Sequence, residues 1–460
     1  MKGKCIVSSC GKAASKCCGS CGWVRYCSTD CQKRDWKEHH KKDECINMNK
    51  LSSVTLTEVE IIDVADRVSN ISVRLLANGE DARSIDLLRK GIDFARDHLG
   101  RLDRRHTVKA DSITISDLLV KLGRIYYFNM QGSSENDNHA ISCFSEAREL
   151  LVMRRDAGMD DEALWDLLFC CDKYLYLLYF RTRISHSEKA KYHAAQYVAA
   201  ARQYKGPDQV DHLITALPLF STSLVYEGNY SEGLALAEEA YLIASKHYSP
   251  AHKLVLRACN QMIVCLLYTK DFSTADTYCR MNYANVIDPM NAGEYDVEDE
   301  MDIMNQLAKI FVMKEPDDDE IVEKALADEA IDVSRKAWEL SKKCTDKRCM
   351  LDNLGLLLKT SIKGNRLTEE TEGILHQYVT ACIAENHSGG NHALEPFQDL
   401  CYFYIRLLKT LQMSKKKSIL VQENIELCSK RLFELKHCIN YTKGSQKIKP
   451  FFKNNMELYI

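Results

Sequence analysis

The sequence predicts a mainly α-helical chain that begins with a small cysteine-rich module. The 460 residues include only seven prolines and 20 glycines, and apolar residues recur at three- and four-residue spacing over many windows. No alternating apolar and polar run flanked by turn signals predicts a sheet. Cysteine is dense in the first 45 residues and scattered afterwards, which separates the first module from the helical body.

The first module contains enough metal-binding side chains for two zinc ions. Zinc prefers four tetrahedral nitrogen or sulfur ligands, and a pair such as Cys18-x2-Cys21 can bind one ion without stretching the backbone. A set of eight leaves no position open for water, which predicts structural and not catalytic ions. The candidate ligands are Cys5, Cys10, Cys18, Cys21, Cys27, Cys31, His39 and Cys45, with Cys17 and His40 as neighbouring alternatives.

Short elements between these ligands resemble the MYND zinc finger: Tyr26-Cys27-Ser28, Cys31-Gln32 and Trp36-Lys37-Glu38-His39. The resemblance implies interleaved sites, which spacing alone does not select. One ion would be held by Cys5, Cys10, Cys27 and Cys31, and the other by Cys18, Cys21, His39 and Cys45. Two gaps are longer than is usual in the family, the first Cys pair and the last His-to-Cys interval. The second gap makes His40 a competitor, although the Trp-x2-His spacing favours His39.

The same resemblance implies that the finger recognises protein. An extended, proline-containing peptide would lie against Gln32 and Trp36, with Ser28 as a further contact. The alternative, that Trp36 only packs the small zinc-bound core, stays open. Nucleic acid is not an expected ligand, because the formal charge of residues 1 to 50 falls from +6 to about +3 once seven thiolates and two zinc ions are counted.

The helical body carries a pattern similar to tetratricopeptide (TPR) repeats. Leu122-Gly123-x2-Tyr126 is followed by Ala140-x3-Phe144-x2-Ala147, with a polar insertion from Gln131 to Asn138 that should lengthen the turn. Two further copies lie about 42 residues apart, at Gly228 to Ala240 and at Lys270 to Cys279. Weaker copies are suggested around Ala190 and from Ala330 to Ala337. A non-repeating helical bundle is the alternative.

These observations divide the chain into four parts. We predict a finger over residues 1–46, a linker over 47–56, a TPR-like helical solenoid over 57–440 and a basic tail over 441–460.

No long apolar run predicts a membrane span, and Met-Lys-Gly-Lys lacks the apolar segment of a signal peptide. We therefore expect an intracellular protein of the cytoplasm or nucleus, with reduced thiols. The oligomeric state is not predicted.

A solenoid of helix pairs offers a long surface for peptides or proteins. The predicted function is accordingly a zinc-binding interaction scaffold without enzymatic activity, in which the finger binds one short peptide and the helical groove a second partner. The alternative is a divergent relative of the lysine methyltransferases that combine a SET domain with a MYND finger. Its support is the segment Asn386-His387-Ser388, which resembles a SET motif but lacks the expected surroundings.

Overall fold

The computed structural model describes residues 5–7, 10, 12–14, 16–40, 45–51, 53–99, 111–129, 134–159, 161–181, 187–288, 290, 293–314, 320–343 and 347–364. At Glu38 and His39 only the backbone is described. The chain divides into two compact units, Met1–Gly228 and Asn229–Ile460. The predicted basic tail and the Asn386 segment lie outside the described residues.

The first module is built from two short strands and one helical segment. Strand β1 (Lys16–Cys17) pairs antiparallel with β2 (Arg25–Tyr26), and Lys16 lies opposite Tyr26. Helix α1 (Thr29–Asp35) follows, and the Ser28 hydroxyl caps it by accepting the Cys31 backbone N–H at 3.2 Å. The chain then winds as a π-helix over Trp36–His40. The fold is thus compact around the cysteines.

Eight helices follow one another along the described part of the first unit. They are α2 (Met48–Leu51), α3 (Glu58–Ala77), α4 (Asp81–Leu99), α5 (Asp111–Asn129), α6 (Ser134–Asp156), α7 (Glu162–Arg181), α8 (Ser187–Gln203) and α9 (Gln209–Tyr226). From α3 onward each helix packs against the next, and α3, α5, α7 and α9 also pack in succession. Contacts to the first and second neighbour are typical of stacked helix pairs.

The second unit repeats this arrangement. It contains α10 (Tyr230–His247), α11 (Lys253–Tyr268), α12 (Phe272–Ile287), α13 (Val297–Met313), α14 (Glu320–Ser341) and α15 (Lys347–Lys363). Consecutive helices pack together, and α11, α13 and α15 pack in succession. The described chain is therefore mainly α, as predicted, with helix pairs of the TPR-like type.

The strongest predicted repeat is a helix pair with close contact between its members. Gly123 on α5 faces the ring of Phe144 on α6, and a Cβ added to Gly123 would lie 3.0 Å from that ring. Ala140, Phe144 and Ala147 are fully buried. The polar insertion differs from the prediction, because α6 begins at Ser134 and takes up the second half of the insertion as its first turns.

Small residues predicted for the downstream copies are buried as well. Ala237 and Ala240 are buried on α10, and Ala275 and Cys279 are buried on α12.

Two features of the structure were not part of the domain division predicted from the sequence. The short helix α2 lies within the predicted linker, and the boundary between the two units falls inside the predicted solenoid. No helix of the described residues is both long and apolar enough to cross a membrane.

Candidate zinc centre

The finger brings the seven predicted cysteine ligands and the alternative histidine, His40, together in two groups of four. In each group the ligand atoms all lie within 4.8 Å of one another. The first group contains Cys5, Cys10, Cys27 and Cys31, and the second contains Cys18, Cys21, His40 and Cys45. The groups alternate along the chain, which is the interleaved arrangement that the family resemblance implied.

Distances within the first group fit a tetrahedral zinc ion. The Cys10 Sγ lies 3.4 Å from the Cys27 Sγ and 3.8 Å from the Cys31 Sγ, and the last two are 3.6 Å apart. A tetrahedron with Zn–S bonds of about 2.3 Å has sulfur atoms about 3.8 Å apart. A disulfide needs about 2.05 Å, so these thiols are free.

The second group fits a mixed sulfur and nitrogen site. The Cys18 and Cys45 Sγ atoms are 3.9 Å apart, and the Cys21 Sγ lies 3.4 Å from His40 Nε2. The expected sulfur-to-nitrogen separation around zinc is about 3.6 Å. Among the alternatives at the first cysteine, Cys18 is buried within the group, whereas Cys17 is exposed on β1.

The histidine of the second group is His40, the alternative named beside His39 in the sequence. Its side chain belongs to the described residues and lies at the end of the π-helical turn Trp36–His40. The Trp36 ring contacts the His40 ring edge-on, with centroids 5.7 Å apart. The Cys45 N–H also donates to the His40 carbonyl at 2.7 Å, which fixes the gap between the last two ligands.

Electrostatics favour a cation at the first group. The Lys12 backbone N–H and the Cys27 thiol lower the pKa of Cys10, and Cys10 in turn raises the pKa of Cys27. One thiol therefore ionises at the expense of its neighbour, because adjacent thiolates repel each other. A divalent ion removes that conflict by stabilising all four thiolates together.

A groove of about 600 Å³ lies beside the second group. Its lining includes two of the three residues predicted to contact a peptide, Gln32 and Trp36. The third, Ser28, is not among the lining residues and caps α1. Trp36 is half-buried, so one indole side supports the zinc ligand His40 while the remainder faces the groove.

Asp35 anchors the finger to the helix pair that follows it. Its carboxylate is 3% exposed and accepts the Tyr26 hydroxyl at 2.7 Å and the Arg74 guanidinium at 2.7 Å. Burial and the bond to Asp35 raise the pKa of Tyr26, so the phenol stays a donor. Arg74 belongs to α3, 39 residues away, and no sequence signal marked this pair.

Trp23 forms a second attachment to the same helix pair. Its backbone carbonyl accepts a hydrogen bond from Arg83 on α4. The Lys90 ammonium, also on α4, lies 5.0 Å from the centre of the indole ring. The finger is therefore held on α3 and α4 by hydrogen bonds from Arg74 and Arg83 and by a cation–π contact from Lys90.

Comparison with known proteins agrees with this geometry. Residues 5–45 match the family model of the MYND finger. Over 34 residues the chain is 59% identical to ubiquitin carboxyl-terminal hydrolase 19 of Arabidopsis thaliana, which is 7% of this chain and 5% of that protein. The chain thus spans about one twentieth of this curated relative.

Three solved structures resemble parts of the chain at low sequence identity. BtubC (BKLC) from P. vanneervenii is 14% identical, with coverage of 55% of this chain and 92% of that one and a TM-score of 0.42. A Podosopora anserina protein with nearly identical TPR-like repeats is 14% identical, with coverage of 47% and 96% and a TM-score of 0.35. The S. pombe nuclear import adaptor Nro1 is 12% identical, with coverage of 70% and 100% and a TM-score of 0.32.

Ligand geometry and the family match define the first module as a MYND-type zinc finger. The stacked helix pairs of each unit are of the TPR-like type. The MYND finger is a zinc-binding protein-interaction module, and the helix pairs that follow it have a TPR-like fold.

Proposed function

We propose that the finger binds a short, proline-containing peptide in the groove beside the second zinc site. The observation that carries the proposal is that Gln32 and the half-buried Trp36 line one open groove next to the zinc ligand Cys18. An indole offers a flat apolar surface for a proline ring, and a proline-rich segment loses little conformational entropy on binding. The Gln32 amide can donate to a peptide carbonyl.

The zinc ions act in this function as structural supports. In the second site, Cys18 and Cys21 would hold the loop that forms one wall of the groove, while Cys31 in the first site would hold α1, which forms the other. The donor set is closed, so each bound ion supplies fold stability and no reacting position. Zinc removal should therefore abolish peptide binding together with the folded finger.

The helical array supplies a second binding surface in this proposal. Stacked helix pairs expose a long concave face that commonly takes an extended segment of another protein. Joining two weak sites raises the overall affinity when one partner, or two linked partners, can reach both. The chain would thus act as a two-site scaffold.

Calorimetry with the zinc-loaded full-length chain and a proline-containing peptide tests the finger site. Gln32→Ala should weaken binding without changing the zinc content, because Gln32 lines the groove and is not a ligand. Trp36→Phe should weaken binding while retaining a ring against His40, and Lys16→Ala, an exposed change on β1, is the control outside the groove. If proline-containing peptides bind no better than proline-free peptides of the same charge, the proposal is wrong.

A further inference from the structure

The groove of the finger carries an excess of positive charge on its rim. It is lined by Cys18, Gly19, Ser20, Gln32, Lys33, Arg34, Trp36 and Lys37. Lys33, Arg34 and Lys37 are exposed, and no carboxylate is among these lining residues. The three cations follow one another along α1 and the π-helix, beside the indole of Trp36.

These cations are not neutralised within the part of the chain that the structure describes. None of the three side chains forms an ion pair with another described residue, in contrast to the neighbouring Arg74 and Arg83. The acidic residue between them, Asp35, is buried and already accepts from Tyr26 and Arg74. Their charge is therefore available to a ligand.

The negative charge of the two metal sites is less exposed than this basic rim. When zinc is bound, three thiolates and a neutral imidazole leave the second site with a formal charge of minus one, and four thiolates leave the first site with minus two. The ligands Cys18 and Cys45 are mostly buried, whereas the three cations face solvent. A bound peptide would meet the cations first.

We propose that the peptide taken by the finger carries acidic residues, Asp or Glu, next to its proline-containing segment. This inference rests on the proposed function and narrows it to one class of partner. The proline segment would lie on Trp36, and the flanking carboxylates would pair with Lys33, Arg34 and Lys37. A single exposed ion pair contributes little to the free energy of binding. Three such pairs acting together should raise the affinity of the peptide about tenfold.

Three synthetic peptides test the proposal against the zinc-loaded full-length chain. They share one proline-containing centre and differ in flanks of Glu, Gln or Lys. The expected order of affinity is Glu above Gln above Lys, with the Glu advantage present at about 0.15 M salt and largely lost at about 1 M salt. The triple variant Lys33→Glu, Arg34→Glu, Lys37→Glu should reverse the order. Lys16→Glu, an exposed change on β1 outside the groove, should preserve it.

The outcomes separate this inference from the function on which it rests. Equal affinity for the three peptides, with clear binding of each, would refute the acidic flank and leave peptide binding in place. Failure of all three would overturn both. Displacement of the Glu-flanked peptide by a DNA or RNA oligonucleotide at equal charge concentration would assign the basic rim to nucleic acid and refute the acidic peptide. Native mass spectrometry of each variant confirms that two zinc ions remain.

Discussion

The Arg74 guanidinium on α3 donates to the Asp35 carboxylate of the finger at 2.7 Å, although the two residues are 39 positions apart. Asp35 is 3% exposed and the Arg74 side chain is 22% exposed, so the pair is largely shielded from solvent. Asp35 also directly follows Arg34 and precedes Trp36, both of which line the candidate groove. This ion pair therefore links α1, the helix that forms one wall of the groove, to α3.

Loss of this ion pair should loosen the finger more than loss of a surface pair on the same helix. Arg74→Ala leaves the buried Asp35 carboxylate with Tyr26 as its remaining partner, which should cost about 1–3 kcal/mol. Arg67→Ala is the matched control on α3, since its partner Asp63 is exposed and such pairs contribute about 0.2–1 kcal/mol. Hydrogen exchange should accelerate in residues 16–40 for the first variant only. Equal protection in both variants would show that the pair does not anchor the finger.

Zinc content distinguishes His40 from His39. Native mass spectrometry of the purified chain should show two zinc ions, and His40→Ala should lose one, because His40 Nε2 belongs to the second ligand group. His39→Ala should retain both ions. Cys27→Ser should remove the other ion, since Cys27 belongs to the first group. Retention of two ions in His40→Ala, with loss in His39→Ala, would restore the assignment made from the Trp-x2-His spacing.

The zinc ligands show which parts of the candidate site can be predicted from the sequence. Seven cysteines could be assigned because each lies at short range from a partner, as in Cys18-x2-Cys21. The histidine could not be assigned in this way, because two adjacent histidines compete for one ligand position and residue spacing alone does not separate them. The contact of Arg74 with Asp35 could not be predicted either, since a tertiary ion pair leaves no periodic pattern in the sequence.

In the helical body, too, some features could be predicted from the sequence and others could not. Gly123 and Phe144 were predicted as repeat positions because the motif spacing is local, and the structure places them in contact. The division at Gly228 was not predicted, since repeats continue on both sides of it. Pro218 lies inside α9, where sequence rules would have ended the helix.

Close packing at Gly123 gives a test of the repeat assignment. Gly123→Ala places a methyl group 3.0 Å from the Phe144 ring, so α5 and α6 must separate or the ring must move. Overpacking of this kind typically costs about 1–3 kcal/mol. Phe144→Leu should cost stability alone but reduce the effect of Gly123→Ala, because the methyl group then meets a smaller side chain. Urea unfolding of both single variants and the double variant measures this coupling, and strict additivity would contradict the contact.

Thiol reactivity should report the difference between the finger and the helical body. Burial raises the pKa of Cys143 and of Cys259 to about 12, which lowers their thiolate fraction at neutral pH by roughly a thousandfold relative to a free cysteine. Cys17 is exposed and lies outside both ligand groups. Iodoacetamide should therefore label Cys17 first in the zinc-loaded chain, add the seven cysteines of the two ligand groups once chelation unfolds the finger, and reach Cys143 and Cys259 only when the helical body unfolds. Because the folded-state pKa of the two buried thiols is raised, their contribution to stability is complete below about pH 9 and declines as the pH rises toward 12. Mass spectrometry of the labelled peptides measures the order, and modification of Cys143 before Cys17 would show that the interface between α5 and α6 opens more readily than its packing implies.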